Sequence, residues 1–196
     1  MFLDFDVNLD TAIDELTALL QKGKEEIDKL LCIENKTYAN FVKPFEMIDE
    51  RLGWFFTPVS HLNSVSNSEE TQEVYANALP LLSEYGTEIS QNESIYKAFK
   101  TIKENEGNQL NQEQNQVLDH NIRDFELSGA HLDQVKKADS MTKTMRKSTL
   151  TNDFSQNLLN ATNAYELIIT NEEDVEGIPP SDLENARQED GSYKFT

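Results

Sequence analysis

Three histidines, one cysteine and 36 carboxylates hold whatever chemistry this chain could perform. His61, His120 and His131 lie too far apart to give the i, i+4 pair with which a helix grips zinc, and the sequence has no H-E-x-x-H. His61 stands between Ser60 and Leu62 on an aromatic-rich segment. It reads as a hydrogen-bonded histidine at a helix-packing seam, with a substrate contact as the alternative. His120, beside Asp119, reads as solvated. Cys32 has no second thiol, so neither an internal disulfide nor a thiolate zinc cluster can form; it is expected as a small core side chain in a reducing compartment. Asp6-Val7-Asn8-Leu9-Asp10 begins like a calcium loop. Thr11 then stands where the sharp turn needs Gly, and Thr17 where a bidentate Glu is needed, so the loop is rejected. Neither G-x-S-x-G nor G-x-x-x-x-G-K-(S/T) occurs. The acid pairs Glu69-Glu70 and Glu172-Glu173-Asp174 read as solvated faces. Lys136, Lys137, Lys143, Arg146 and Lys147 form the one basic cluster; it reads as paired with the protein's own acids, with docking of an acidic peptide end as the alternative. The residues thus yield no catalytic group and no metal ligand.

Charge narrows the partners. Seventeen Lys and Arg stand against 36 Asp and Glu in 196 residues, a formal charge of −19. Nucleic acid is disfavoured, because its phosphates need cations to displace their counterions. An anionic membrane surface is disfavoured for the same reason. MFLDFDVNLD carries acids where a secretory signal carries Lys or Arg. No stretch approaches the ~20 apolar residues of a membrane span. A cytoplasmic, soluble protein is expected. The length suits one domain, or two small ones, and a folded chain of this size buries roughly 70% of the surface it exposes when unfolded.

The elements that would position these residues are mostly helical. Gly and Pro number only 7 and 5, and alternating β-branched runs are few. After an extended start over Phe2 to Leu9, Asp10 is expected to cap a helix with Ile13, Leu16, Leu20, Ile27, Leu30 and Leu31 on one face. Asn35 marks a break. Tyr38, Phe41, Phe45, Ile48 and Leu52 then form a second stripe, with a kink or restart at Pro44. Ser66 with Glu69, and Ser90 with Glu93, read as capping boxes for helices carrying Val74, Ala78, Leu81, Leu82 and Tyr85, and then Ile95, Phe99 and Ile102. Leu118, Ile122 and Phe125 mark a helix that ends near Ser128-Gly129. A long helix follows from about Asp133 to Glu166, with Val135, Met141, Met145, Phe154, Leu158, Ala161 and Tyr165 as its stripe. Gly177 to Pro180 reads as a rigid turn, with Ser181 and Glu184 capping a short helix. Residues 191–196 alternate like a strand, and outside Phe2 to Val7 no convincing partner strand is evident.

Several stretches together are similar to one family. Arg123-Asp124-Phe125-Glu126-Leu127-Ser128-Gly129-Ala130 resembles the R-(D/N)-F-x-L-S-G element of the thimet oligopeptidase family of zinc metallopeptidases, which includes the bacterial oligopeptidase A enzymes. Phe154 to Thr162 resembles the family's F-S-x-N-V-L-D-A-T, with Asn160 in place of the usual Asp. Glu172 to Pro179, leading into Ser181-Asp182-Leu183, resembles its D-E-x-x-L-x-G-(L/M)-P turn. Pro58 to Val65, Ala78 to Tyr85 and Gln91-Asn92-Glu93 resemble its N-terminal half. Asp133 stands where the family often has Pro.

The resemblance implies the N-terminal helical region of such an enzyme, with residues 1–196 as one helical domain, extended ends at 1–9 and 191–196, and the catalytic half absent, as in a truncated form. The expected fold is mainly all-α: a bundle of long antiparallel helices with at most a short terminal β-strand. It also implies a non-catalytic wall of a channel that admits short peptides, with His61 as the candidate channel contact. Zinc is expected in the full-length parent and none in this chain. The implied partners are the missing catalytic domain and short peptides, with weak self-association and neither nucleic acid nor membrane. The alternative is a stand-alone helical domain that binds peptides or proteins without enzymatic activity.

Overall fold

The computed structural model describes residues 3–195 and divides into two compact units, Met1–Thr149 and Leu150–Thr196. The first unit is built from helices. In α1 (Ala12–Leu31), Ala12, Leu16, Leu20, Gly23 and Ile27 recur every three or four residues and are buried. A π-helical turn at Tyr38–Val42 leads into α2 (Lys43–Val65), with Pro44 in the first turn, so the expected restart occurs where proline's missing N–H has no helical partner to lose. The side-chain oxygen of Thr37 accepts from the Asn40 N–H and the Asn40 side chain from the Thr37 N–H, and Glu106 accepts from the Tyr38 N–H at 2.8 Å. The remaining helices of this unit are α3 (Glu69–Ser90), α4 (Glu93–Glu106) and α5 (Gln112–Leu127). The long α6 (Gln134–Asn163) continues across the division.

Packing fixes the helix directions. Ala12 at the start of α1 meets Val59 late in α2 and Val74 early in α3. Further along α1, Leu16 and Leu20 pack with Ala78 and Tyr85 of α3, and Ile27 lies in one cluster with Ile48 early in α2. Hence α2 runs antiparallel to both neighbours. Gly23 permits this approach, since a Cβ there would lie 2.7 Å from the Tyr85 Oη. Phe99 of α4 is fully buried among Phe41, Phe45 and Phe125, with ring centroids 5.8, 5.4 and 5.6 Å away. Each such buried side chain contributes on the order of 1.5–3 kcal/mol. The mainly all-α fold is as expected.

Four expected caps sit elsewhere. Ser68, not Ser66, caps α3: it has the extended backbone an N-cap requires (φ −141°, ψ 168°), and its hydroxyl accepts from the Thr71 N–H. Ser66 instead closes α2, donating its N–H to the Leu62 carbonyl at 2.8 Å. Ser90 is the last residue of α3, and the Asn92 side chain caps α4. Ser181 lies inside α7 (Pro180–Ala186), which starts at Pro180 with no side-chain cap. At α1 the cap position is Thr11, while the Asp10 N–H is held by Asn8.

The second unit holds the sheet. Leu167–Ile169 (β1) pairs antiparallel with Tyr193–Phe195 (β2), in the register Leu167↔Phe195, Ile168↔Lys194 and Ile169↔Tyr193. The terminal strand therefore does have a partner, in a segment too short for its periodicity to be read. Phe2 lies outside the described residues, and those from Leu3 to Asn8 are in no strand. Val175, Ala186 and Tyr193 form the unit's core with Ile169, Ile178, Leu183 and Phe195 around it.

Candidate functional site

The histidines stay apart. His61 is exposed on α2, with the Phe5 ring edge-on at 5.4 Å, and so does not lie in a buried packing seam. Exposed His120 meets the Gln116 side chain at 2.6 Å, one turn back on α5, and His131 is exposed. Cys32 is exposed as well and not in the core: it follows the last turn of α1, where the stripe has already ended. Among the described residues no three His, Cys, Asp or Glu side chains gather as a metal site. The basic cluster is partly answered as expected, through Lys136–Asp133 at 3.2 Å and Lys143–Asp139 at 2.6 Å, while Lys137 donates to the Gln91 carbonyl at 2.8 Å.

What remains is surface. None of the 30 residues of α6 is buried. Its expected stripe exists in spacing, half-buried at Met141 and Met145 but bare further on: Phe154 is 70% and Leu158 58% exposed, one turn apart, and Leu150 lies a further turn back. Just beyond the helix, Tyr165, Leu167 and Ile168 are exposed too. Tyr193 is buried, so the bare face belongs to α6 and β1 and not to the terminal strand.

A groove of about 840 Å³ opens elsewhere, in the first unit, between the N-terminal segment, α1 and α2. Leu19, Met47, Trp54 and Phe55 give it an apolar lining. Asp4, Asp6, Glu15 and Glu50 stand around them. Thr11 orients the Glu15 carboxylate with a 2.6 Å hydrogen bond, and the Trp54 indole donates to Glu50 at 3.3 Å. Among the described lining residues the one cation, Arg51, is paired with Glu26, with Nη1 3.2 Å from Oε1. That hydrogen bond holds the Glu26 carboxyl below its ordinary range and raises Arg51 above its own.

The model of the neurolysin/thimet oligopeptidase N-terminal domain matches residues 16–137. The chain belongs to that family. The match takes in the Arg123–Gly129 element and α1 from Leu16 onward, together with α2 to α5. Among relatives of the oligopeptidase domain, oligopeptidase A of Haemophilus influenzae is 38% identical over 184 residues, covering 91% of this chain and 27% of that protein. Oligopeptidase A of Escherichia coli is 37% identical over 177 residues, 89% of this chain and 26% of that protein. A probable cytosolic oligopeptidase A of Arabidopsis thaliana is 29% identical, over 86% of this chain and 24% of that protein. The chain thus spans about a quarter of the length of the relatives it matches. No described helix is long and apolar enough to cross a membrane.

Proposed function

We propose that this chain is the N-terminal helical part of an oligopeptidase A-like, cytoplasmic zinc peptidase, and that it forms one wall of a channel restricting cleavage to short peptides. On this reading the zinc and its general base are supplied by residues outside these 196, and the partner that supplies them docks on α6. The observation that carries the reading is the bare face of that helix. A helix ordinarily buries an apolar stripe against its neighbours, yet Leu150, Phe154 and Leu158 meet solvent. The matched relatives are about three and a half times as long, which is room enough for a covering domain.

A second reading, a self-contained interaction domain, is favoured by β2, which finds its partner within the chain. One experiment separates the two. Let this chain replace the matching residues of Escherichia coli oligopeptidase A, and measure cleavage of a quenched octapeptide and of an unfolded long polypeptide. The expected outcome is an active chimera that prefers the octapeptide and loses activity with Phe154→Glu and Leu158→Glu together. A folded chimera that cuts both substrates equally, or that ignores the double substitution, overturns the channel-wall reading.

A further inference from the structure

The groove beside Trp54 has a composition that selects its occupant. Its walls come from three separate stretches of sequence, and the carboxylates come from all three: Asp4 and Asp6 from the N-terminal segment, Glu15 from α1 and Glu50 from α2. Arg51 does not offset them, because Glu26, which is not in the lining, already answers its charge. Among the described residues, the groove therefore presents four carboxylates, none paired with a lining cation, around an apolar floor. A ligand that fits must bring cationic heads for the rim and apolar stems for the floor. Lysine and arginine carry both on one side chain, with methylenes that lie along apolar surface and a charge that reaches outward. The indole of Trp54 adds a face on which a guanidinium or ammonium is attracted by the ring's quadrupole. Nucleic acids, acidic peptides and anionic lipids are repelled by the same rim.

We infer that this groove is a docking site for a short peptide in which lysine or arginine alternates with apolar residues. Its volume of about 840 Å³ falls within the roughly 300–1,000 Å³ of pockets that enclose small ligands. That is room for about three to five residues, with any remainder of the peptide outside. The site lies wholly within the first unit and involves neither α6 nor zinc, so it stands or falls apart from the channel-wall reading.

Trp54 is the only tryptophan of the chain, so its fluorescence reports the groove without a label. Titrate the 196-residue chain with a capped pentapeptide alternating leucine and lysine, and separately with the same peptide carrying glutamate for lysine. The lysine peptide is expected to shift Trp54 emission saturably, at least tenfold more tightly than the glutamate peptide, with affinity that falls as salt rises. Replacing Asp6→Asn, Glu15→Gln and Glu50→Gln together is expected to weaken it by about tenfold, as the loss of a few solvent-exposed ion pairs does. Equal affinity for the two peptides overturns the proposal. So does the absence of any saturable change at millimolar lysine peptide, or unchanged binding by the triple variant with an unchanged circular dichroism spectrum. Should the triple variant fail to fold, the two-peptide comparison and the salt series on the unaltered chain decide.

Discussion

Phe99 and Phe154 have the same side chain in opposite settings, and truncating each to alanine tests the packing described above. Phe99 is fully buried, with three aromatic rings within 6 Å of its own. Phe99→Ala removes a phenyl group of about 100 Å³. At about 24 cal/mol per Å³ of residual cavity, a void of that size costs up to about 2.4 kcal/mol, and lost transfer energy brings the total to roughly 4 kcal/mol. For a unit of about 150 residues, each kcal/mol lowers Tm by about 2–4 °C, so a drop of about 8–16 °C is expected. Phe154 is 70% exposed with no buried neighbour on its helix, and Phe154→Ala should stay within about 0.5 kcal/mol. Urea unfolding followed by Trp54 fluorescence isolates the first unit, and far-UV circular dichroism reports both units. If Phe154→Ala costs more than about 1.5 kcal/mol, or Phe99→Ala less, the assignment of core and bare face is wrong by the same argument.

Gly129 adopts φ +85°, and a Cβ there would lie 2.5 Å from the Leu132 Cδ1. Gly129→Ala is therefore expected to cost about 1–2 kcal/mol in thermal melts, and an unchanged Tm refutes it. Glu26→Gln should lower stability by less than about 1 kcal/mol at pH 7. Because the folded Glu26 carboxyl titrates below its unfolded value, its contribution is present above the unfolded pKa and lost as pH falls through the folded one, so variant and parent should converge as the solution is acidified. A gap that widens on acidification contradicts the pairing with Arg51. At about 0.1 mM and above, sedimentation should show weak self-association that Phe154→Ser with Leu158→Ser removes, while the charge of −19 keeps larger aggregates from forming. Association that survives the double substitution places the contact elsewhere.

What could be read in the sequence follows from how local each signal is. The α1 stripe, the restart at Pro44 and the turn at Gly129 are each written within a few residues. Strand β1 was not legible, because three apolar residues have no period and their partner lies 26 positions away. The misplaced serine caps share one cause: the S-x-x-E pattern marks where a hydroxyl could bond, while the backbone, as at Ser68, decides where it does. Cys32 illustrates the limit of residue-type averages, since one step past the end of a stripe suffices to expose it. The Trp54 groove was invisible as a site. Its acids and its aromatic floor each look ordinary in sequence, and only the fold brings Asp4 and Asp6 beside α2.

Helix α6 has one more property, in its own composition. Ten of the sixteen residues from 148 to 163 are Ser, Thr, Asn or Asp. Each favours a helix by about 0.5 kcal/mol less than alanine, because its short polar side chain competes for the backbone, so the segment gives up on the order of 5 kcal/mol. With no buried side chain to recover that cost, its helicity should melt gradually on warming, ahead of the cooperative loss of α4, and its amides should exchange first. On the proposed reading, the domain that covers this helix must also hold it in shape. Part of the binding energy of that contact, about 2–5 kcal/mol where a segment orders on association, is spent on ordering, and the complex forms correspondingly less tightly than its buried area alone suggests.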